Sequence, residues 1–297
     1  MISRRNFIFT GSVVATGGAL SARAGFAASN RRFEGLSELL ARLEAKNSGR
    51  LGVAVLDTGS GESGGYRTDE RFAMCSTFKM LLAANMLHRA DTGKDSLDRT
   101  IAIPIKIVLV SSPITQEHAG GSMTLRDLCA AIVTRSDNTA ANLLLDAIGG
   151  PAAITKFARS VGDNVTRLDR TETTLNDALP GDTRDTTSPA AMVATWRKLL
   201  LGNTLSPSSG KQLTEWLIAN KTGDERLRKG LKTGWVVGDK TGANGENTTN
   251  DVAIVWPTNE APVLIAAYLT ACPGPDEKRN AVLADVGQLV SEHIQLV

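Results

Sequence analysis

Strand patterns lie at both ends of this 297-residue chain and helical patterns fill its middle, an order that constrains the fold more than any other feature of the sequence. Near the start, Leu51-Gly-Val-Ala-Val-Leu-Asp57 reads as a strand, and Gly59 to Gly65 as a turn into a second strand near Tyr66. Strand character returns at Trp235–Ala243, Thr249–Trp256 and Val263–Thr270. Between these ends the spacing predicts helices at Thr77–Arg89, Leu125–Thr134, Thr139–Ile148, Pro151–Val161, Pro189–Leu201 and Ser208–Ala219. Phe33, Leu36, Leu39, Leu40 and Leu43 share one face of a helix ahead of the first strand, and Asp276 to Leu296 forms a last one. One arrangement satisfies this order economically. It is an α/β (α+β) fold: an antiparallel sheet built from both chain ends, flanked by the N- and C-terminal helices, with an all-helical domain inserted. Residues 32–68 and 220–297 are the expected discontinuous α/β domain and 69–219 the helical one, with a site at their seam.

The first 28 residues are a separate matter. Arg4-Arg5 is followed by Phe7, an apolar Gly/Ala-rich stretch to about Leu20, and small residues at Ala22, Ala24, Ala27 and Ala28. That is an export signal, and the arginine pair predicts the twin-arginine route to a periplasmic or secreted destination. Its removal takes the 33 basic residues to 30, against 31 acidic ones. A near-neutral mature chain offers no electrostatic case for nucleic acid. No apolar run reaches the ~20 residues of a bilayer span, so no membrane anchor is expected. Cys75, Cys129 and Cys272 form no C-x-x-C, and His88, His118 and His293 form no cluster, so neither a metal nor a cofactor is expected.

Several short motifs are decoys. Gly59 to Gly64 matches G-x-G-x-x-G, and Gly61 to Gly65 matches G-x-S-x-G, but no helix follows, as either motif would require. S-x-x-K occurs at Ser76–Lys79 and Ser208–Lys211, and K-T-G at Lys221, Lys232 and Lys240. Context separates them. Ser76 and Lys79 share a face at the start of a helix that is apolar almost all round from Phe78 to Leu87, where a lysine needs a polar reason to be buried. Ser208 reads as a simple helix N-cap. Of the K-T-G copies, Lys221-Thr-Gly223 reads as a glycine C-cap and Lys232-Thr-Gly234 as a turn; only Lys240-Thr241-Gly242 falls within a strand. Ser136-Asp137-Asn138 sits between two helical segments, where a helix N-cap is the plain alternative.

Taken in order, Ser76-x-x-Lys79, Ser136-Asp137-Asn138 and Lys240-Thr241-Gly242 resemble the active-site motifs of the class A serine β-lactamases. Arg170-Thr-Glu172-Thr-Thr-Leu-Asn176 and Asp185-Thr-Thr187 resemble the two ends of that family's omega loop, here 170–185. The resemblance covers essentially the whole mature chain. It implies Ser76 as nucleophile, backbone N–H groups of Ser76 and Ala243 as oxyanion hole, and Lys79 as base or proton relay with Lys240 depressing its pKa. It further implies Ser136 as proton donor to the lactam nitrogen, Glu172 and Asn176 as holders of the hydrolytic water, and Asn138 as ligand of the substrate's side-chain amide. Lys240, Thr241, Gly242 and Arg226 would bind substrate, Arg170 and Asp185 would brace the loop, and the partner would be a small β-lactam met by a monomer.

The departures matter too. Ser111 stands where members often carry an aromatic at the site mouth, and Thr173 follows the loop glutamate where proline is common. Family disulfides starting from Cys75 or Cys129 would need partners at Asn244 and Ala83, so all three thiols are expected to be free. The same serine and lysine chemistry serves penicillin-binding DD-peptidases or transpeptidases and non-hydrolysing β-lactam sensors. The Glu172–Asn176 pair and the lack of a membrane segment favour the hydrolase.

Overall fold

A computed structural model of the protein describes residues 32–295, so the export signal expected at 1–28 lies outside the described residues. Strands β1 (Arg50–Asp57) and β2 (Ser63–Tyr66) come early, followed by the short β3 (Phe72–Ala73), β4 (Thr100–Ala102), β5 (Ser122–Thr124) and β6 (Thr186–Thr187). Long β7 (Val236–Ala243), β8 (Thr249–Trp256) and β9 (Val263–Thr270) close the set. The main sheet runs β2-β1-β9-β8-β7, antiparallel throughout, so strands from both chain ends meet at the β1–β9 ladder. Helices are α1 (Leu36–Asn47), α2 (Phe78–Asp91), α3 (Pro113–Glu117), α4 (Leu125–Thr134) and α5 (Asn138–Ile148). They continue with α6 (Pro151–Ser160), α7 (Pro189–Leu200), α8 (Pro207–Ile218), α9 (Leu227–Gly230) and α10 (Asp276–Gln295).

Alternation along the strands decides what covers each face. Leu51, Val53 and Val55 of β1 join Val263, Ile265 and Leu269 of β9 in one apolar cluster with Leu36, Leu40 and Leu43 of α1 and Val282, Val286 and Val290 of α10. Ala54, Leu264, Ala266 and Tyr268 point the other way, into a second cluster with α2, α7 and α8. Both faces are dry, which explains why β1 and β9 read as nearly unbroken apolar runs. In α2 every residue from Phe78 to Leu87 is buried.

The Gly59–Gly65 decoys span the turn after β1 and the first residues of β2, with Leu56 paired to Ser63 and Ala54 to Gly65. Two smaller readings need correction. Gly223 is not a left-handed helix cap: α8 ends at Ile218, and Thr222 instead reaches Thr241, Oγ1 to Oγ1 in 2.5 Å. The cap of α8 is Ser206 rather than Ser208, because its hydroxyl accepts from Ser209 N. The helices α3 and α9 and the β3–β6 and β4–β5 ladders are too short to show a period in sequence.

Candidate active site

Four stretches distant in sequence converge where β7 meets the start of α2. Ser76 sits in a 3₁₀ turn, Cys75–Thr77, that leads directly into α2, and Lys79 lies in that helix's first turn. The end of β7 packs against this turn. A Cβ on Gly242 would stand 2.6 Å from Met74 O and 3.1 Å from Ser76 N, so only glycine lets the backbones approach this closely. Ser136 lies between α4 and α5 with φ +58°, Asp137 caps α5, and Asn138 is its first residue. Glu172 and Asn176 come from the loop 170–185, whose 3₁₀ turn spans Thr174–Asn176. Left-handed backbone at non-glycine residues costs energy, and it recurs around this site at Cys75, Ser111, Ser136 and Asp185.

Polar contacts run without a break through the cluster. Ser76 Oγ donates to Glu172 Oε1 at 3.4 Å, and the same oxygen is 2.9 Å from Lys79 Nζ. Lys79 donates to Ser136 O and to Asn138 Oδ1, both at 2.7 Å, with Ser136 Oγ at 3.5 Å. Lys240 Nζ reaches that hydroxyl from the other side at 3.1 Å. Asn176 Nδ2 donates to Glu172 Oε2 at 2.7 Å. Arg226 stands behind β7, its guanidinium donating to Gly242 O, Asn250 O and Asn280 Oδ1.

The site is rich in buried cations. Lys79 and Lys240 are both fully buried. Burial lowers the Lys79 pKa, with the adjacent Glu172 carboxylate pulling it back up. Burial, reinforced by the Lys79 ammonium, pushes Lys240 down to about 7. Burial also draws Arg226 below its ordinary value. Beneath it, burial and the neighbouring Asp239 push Asp251 well above the carboxylate range. An anion arriving on this wall would relieve the repulsion among its cations.

Two important residues, and part of the role of a third, lie outside the sequence reading. Asn142 Nδ2 donates to Glu172 O at 2.8 Å and its Oδ1 accepts from Glu172 N at 2.9 Å, so it clamps the glutamate's backbone. Its signal was present: four residues after Asn138, it shares that residue's face of α5. Thr222 belonged to a K-T-G copy set aside as a cap. Asp137 is the helix N-cap that its motif allows, its carboxylate accepting from Ala140 N, but the bonds it also accepts from Ile114 N, Thr115 N and Thr115 Oγ1 have no sign in the sequence.

Residues 35–294 match the model of a β-lactamase enzyme family. The chain is 46% identical to β-lactamase L2 of Stenotrophomonas maltophilia, over 99% of this chain and 100% of that protein. It is 47% identical to β-lactamase CTX-M-8 of Citrobacter amalonaticus, over 86% and 88% of the two chains. Among solved structures, an ancestral class A β-lactamase superposes with a TM-score of 0.85 at 59% identity, over 86% of this chain and 99% of that one. The chain belongs to the class A β-lactamases.

Further details of this class A β-lactamase lie around the site. The Glu172–Thr173 bond is cis although no proline follows the glutamate. Cys75, Cys129 and Cys272 are free and buried; burial pushes the Cys75 thiol up to about 12 and Cys129 higher still, so neither offers a reactive thiolate. The loop of this β-lactamase is tied at its base by Asp185, which is wholly buried. Asp185 Oδ1 accepts from Asp169 N and Arg170 N at 2.7 and 2.9 Å, and Oδ2 accepts from Arg170 Nε at 2.6 Å. In Asp185→Asn one amide oxygen can keep the two backbone donors, but the amide NH₂ would then face the guanidinium. We expect about 2–4 kcal/mol of lost stability, read as a melting temperature lowered by roughly 4–16 °C. A melting curve within 2 °C of the parent would show that the loop does not depend on this pair.

Proposed function

We propose that Ser76 attacks the lactam carbonyl of a penicillin or cephalosporin while its proton passes to the Glu172–Lys79 pair. The C–N bond breaks, the ring nitrogen takes a proton through Ser136, and the acyl group stays on Ser76 as an ester. Backbone N–H groups of Ser76 and Ala243 hold the oxyanion. Lys240, Thr241, Gly242 and Arg226 receive the substrate's ring carboxylate, and Asn138 its side-chain amide. A water held by Glu172 and Asn176 then attacks the ester; Glu172 takes its proton, the acyl C–O bond breaks, and the proton returns to Ser76 Oγ. By its family the protein is a serine β-lactamase, a hydrolase that opens the β-lactam ring and confers antibiotic resistance.

The observation that carries the residue assignment is the unbroken run of contacts from Ser76 Oγ through Glu172 and Lys79 to Ser136 and Lys240. The Glu172–Asn176 contact supports hydrolysis over a long-lived acyl-enzyme of the transpeptidase kind. The assignment is tested by intact-mass spectrometry during turnover of a chromogenic cephalosporin. Steady hydrolysis with an adduct that forms and decays on Ser76 supports it, and hydrolysis with no adduct on Ser76 at any time overturns it.

The same reading treats residues 32–68 with 220–297, and 69–219, as the two domains flanking this seam, in a protein that acts as a monomer. It also includes export: residues 1–28 as a cleaved signal, the twin-arginine route and a periplasmic destination. Among the described residues no helix is long and apolar enough to cross a membrane. Replacing Arg4 and Arg5 with lysine should leave the precursor in the cytoplasm, visible as loss of the processed form by immunoblot of fractionated cells. Undiminished export would assign the signal to another route.

A further inference from the structure

The active-site cleft consists of two connected cavities of opposite charge. The inner one, 450 Å³, is lined by Ser76 and Thr241 together with Arg135 and Arg226, and no carboxylate lines it. The outer one, 660 Å³, is lined by Asp177 and Glu246, and no lysine or arginine lines it. Ser111, Asn138, Asn176 and Ala243 line both, so the cavities open into each other. Ser111 at this junction has no ring to narrow the passage.

The two outer carboxylates are not equivalent. Asp177 lies 2.6 Å from the Arg170 guanidinium, which largely offsets its charge. The Glu246 carboxylate has no ion-pair or hydrogen-bond partner among the described residues. Its backbone is nevertheless held firmly: Glu246 N donates to Asn244 Oδ1 at 3.0 Å, and Glu246 O accepts from the buried Arg279 at 2.7 Å. Arg279 is itself paired with Asp276, so it does not neutralise the rim. An uncompensated carboxylate on an anchored turn faces the outer cavity, and Arg135 and Arg226 line the inner one with no carboxylate among them.

We propose that Glu246 is a specificity-determining residue, and that this cleft favours β-lactams whose acyl side chain ends in a cation. This rests on the assignment above, in which the ring carboxylate occupies the inner cavity. A ligand so placed sends its side chain past Ser111 into the outer cavity, and a terminal ammonium there meets Glu246. The substrate class is therefore zwitterionic: anionic at the ring, cationic at the remote end.

Three cephalosporins with one nucleus and side chains ending in an ammonium, a neutral amide or a carboxylate test this. The readout is the ratio of kcat/KM for the ammonium compound to that for the carboxylate compound, each normalised to the amide in the same protein. Wild type should give a ratio above one. Glu246→Gln should lower it about two- to fivefold, the size of a solvent-exposed ion pair, and Glu246→Lys should lower it again to below one. Both differences should shrink in 0.5 M KCl as the charges are screened. A merely steric or structural role for Glu246 would move all three compounds together and leave the ratio unchanged, which overturns the proposal. If wild type hydrolyses the amide but shows a ratio of one, the charge inference alone falls. If wild type hydrolyses none of the three, the assignment of the site falls and this inference with it.

Discussion

Glu172→Gln should convert this hydrolase into a protein that is acylated and then stalls. The physical case begins with what the substitution leaves intact. Glutamine keeps the length and the oxygen of glutamate, so the bond from Asn176 Nδ2, 2.7 Å in the parent, and the Asn142 backbone clamp can persist. What disappears is the base. It also removes the one counter-charge in direct contact with Lys79, an ion pair in which neither side chain is exposed. Burial already lowers the Lys79 pKa, and Glu172 is the main influence opposing that shift. Without it Lys79 moves further toward the free amine, which can accept the Ser76 proton. Acylation therefore survives, while the water that must attack the ester has lost its general base, worth about 10²- to 10⁴-fold in rate. Intact-mass spectrometry should find the variant carrying one drug-derived adduct on Ser76 for minutes while wild type is almost wholly free. If the variant turns over a chromogenic cephalosporin as fast as the parent, Glu172 is not the base. If it never forms an adduct, Glu172 is needed for acylation as well, and Lys79 cannot replace it.

The fold was legible because both of its devices leave marks in sequence. β1, β8 and β9 are covered on both faces, so their apolar runs are long and their limits sharp. The order of strands and helices then left few ways to close an antiparallel sheet. The site was legible in part for a different reason. Ser76, Ser136 and Lys240 lie 60 and 104 residues apart in successive pairs, yet each sits where the local chemistry is visible: at a helix start, in a turn and within a strand. Recognition of the family motifs supplied their roles, which spacing alone did not. The supporting residues were harder to see. Asn142 looks like an ordinary helical polar residue until the loop lies against it, and Thr222 gains meaning only when β7 runs alongside. Their partners are 30 and 19 residues away and follow no local pattern. Lys79 is the instructive middle case: its burial followed from the apolar helix around it, but nothing in the sequence indicated that its ammonium would be shared among Glu172, Ser136 and Asn138.

Asp137→Ala should be among the most destabilising single changes in the molecule, although Asp137 takes no chemical part in the proposed reaction. Its carboxylate is fully buried and accepts four hydrogen bonds: Ala140 N at 2.9 Å, Ile114 N at 3.0 Å, Thr115 N at 2.9 Å and Thr115 Oγ1 at 2.8 Å. One oxygen caps α5 and the other gathers the first turn of α3, so the group joins two helices whose ends would otherwise present unpaired donors to a dry interior. Alanine removes both acceptors at once, and water has little access to replace them. Loss of the cap costs about 1 kcal/mol, and each stranded buried donor adds about 1–3 kcal/mol before relaxation. Partial collapse will recover some of this, leaving about 3–5 kcal/mol, or roughly 6–20 °C in melting temperature. The damage should also reach the chemistry. Asp137 lies between Ser136, held at φ +58°, and Asn138, and these two residues together accept both 2.7 Å bonds from Lys79. With the anchor gone, the strained turn can relax and Lys79 loses its two fixed partners. We therefore expect kcat/KM, measured well below the variant's melting point, to fall at least tenfold beyond what unfolding explains. A variant that melts within about 2 °C of the parent would show that the two helix ends are held by other contacts. One that is destabilised as predicted but fully active when folded would show that the Ser136 turn keeps its strained shape without this anchor.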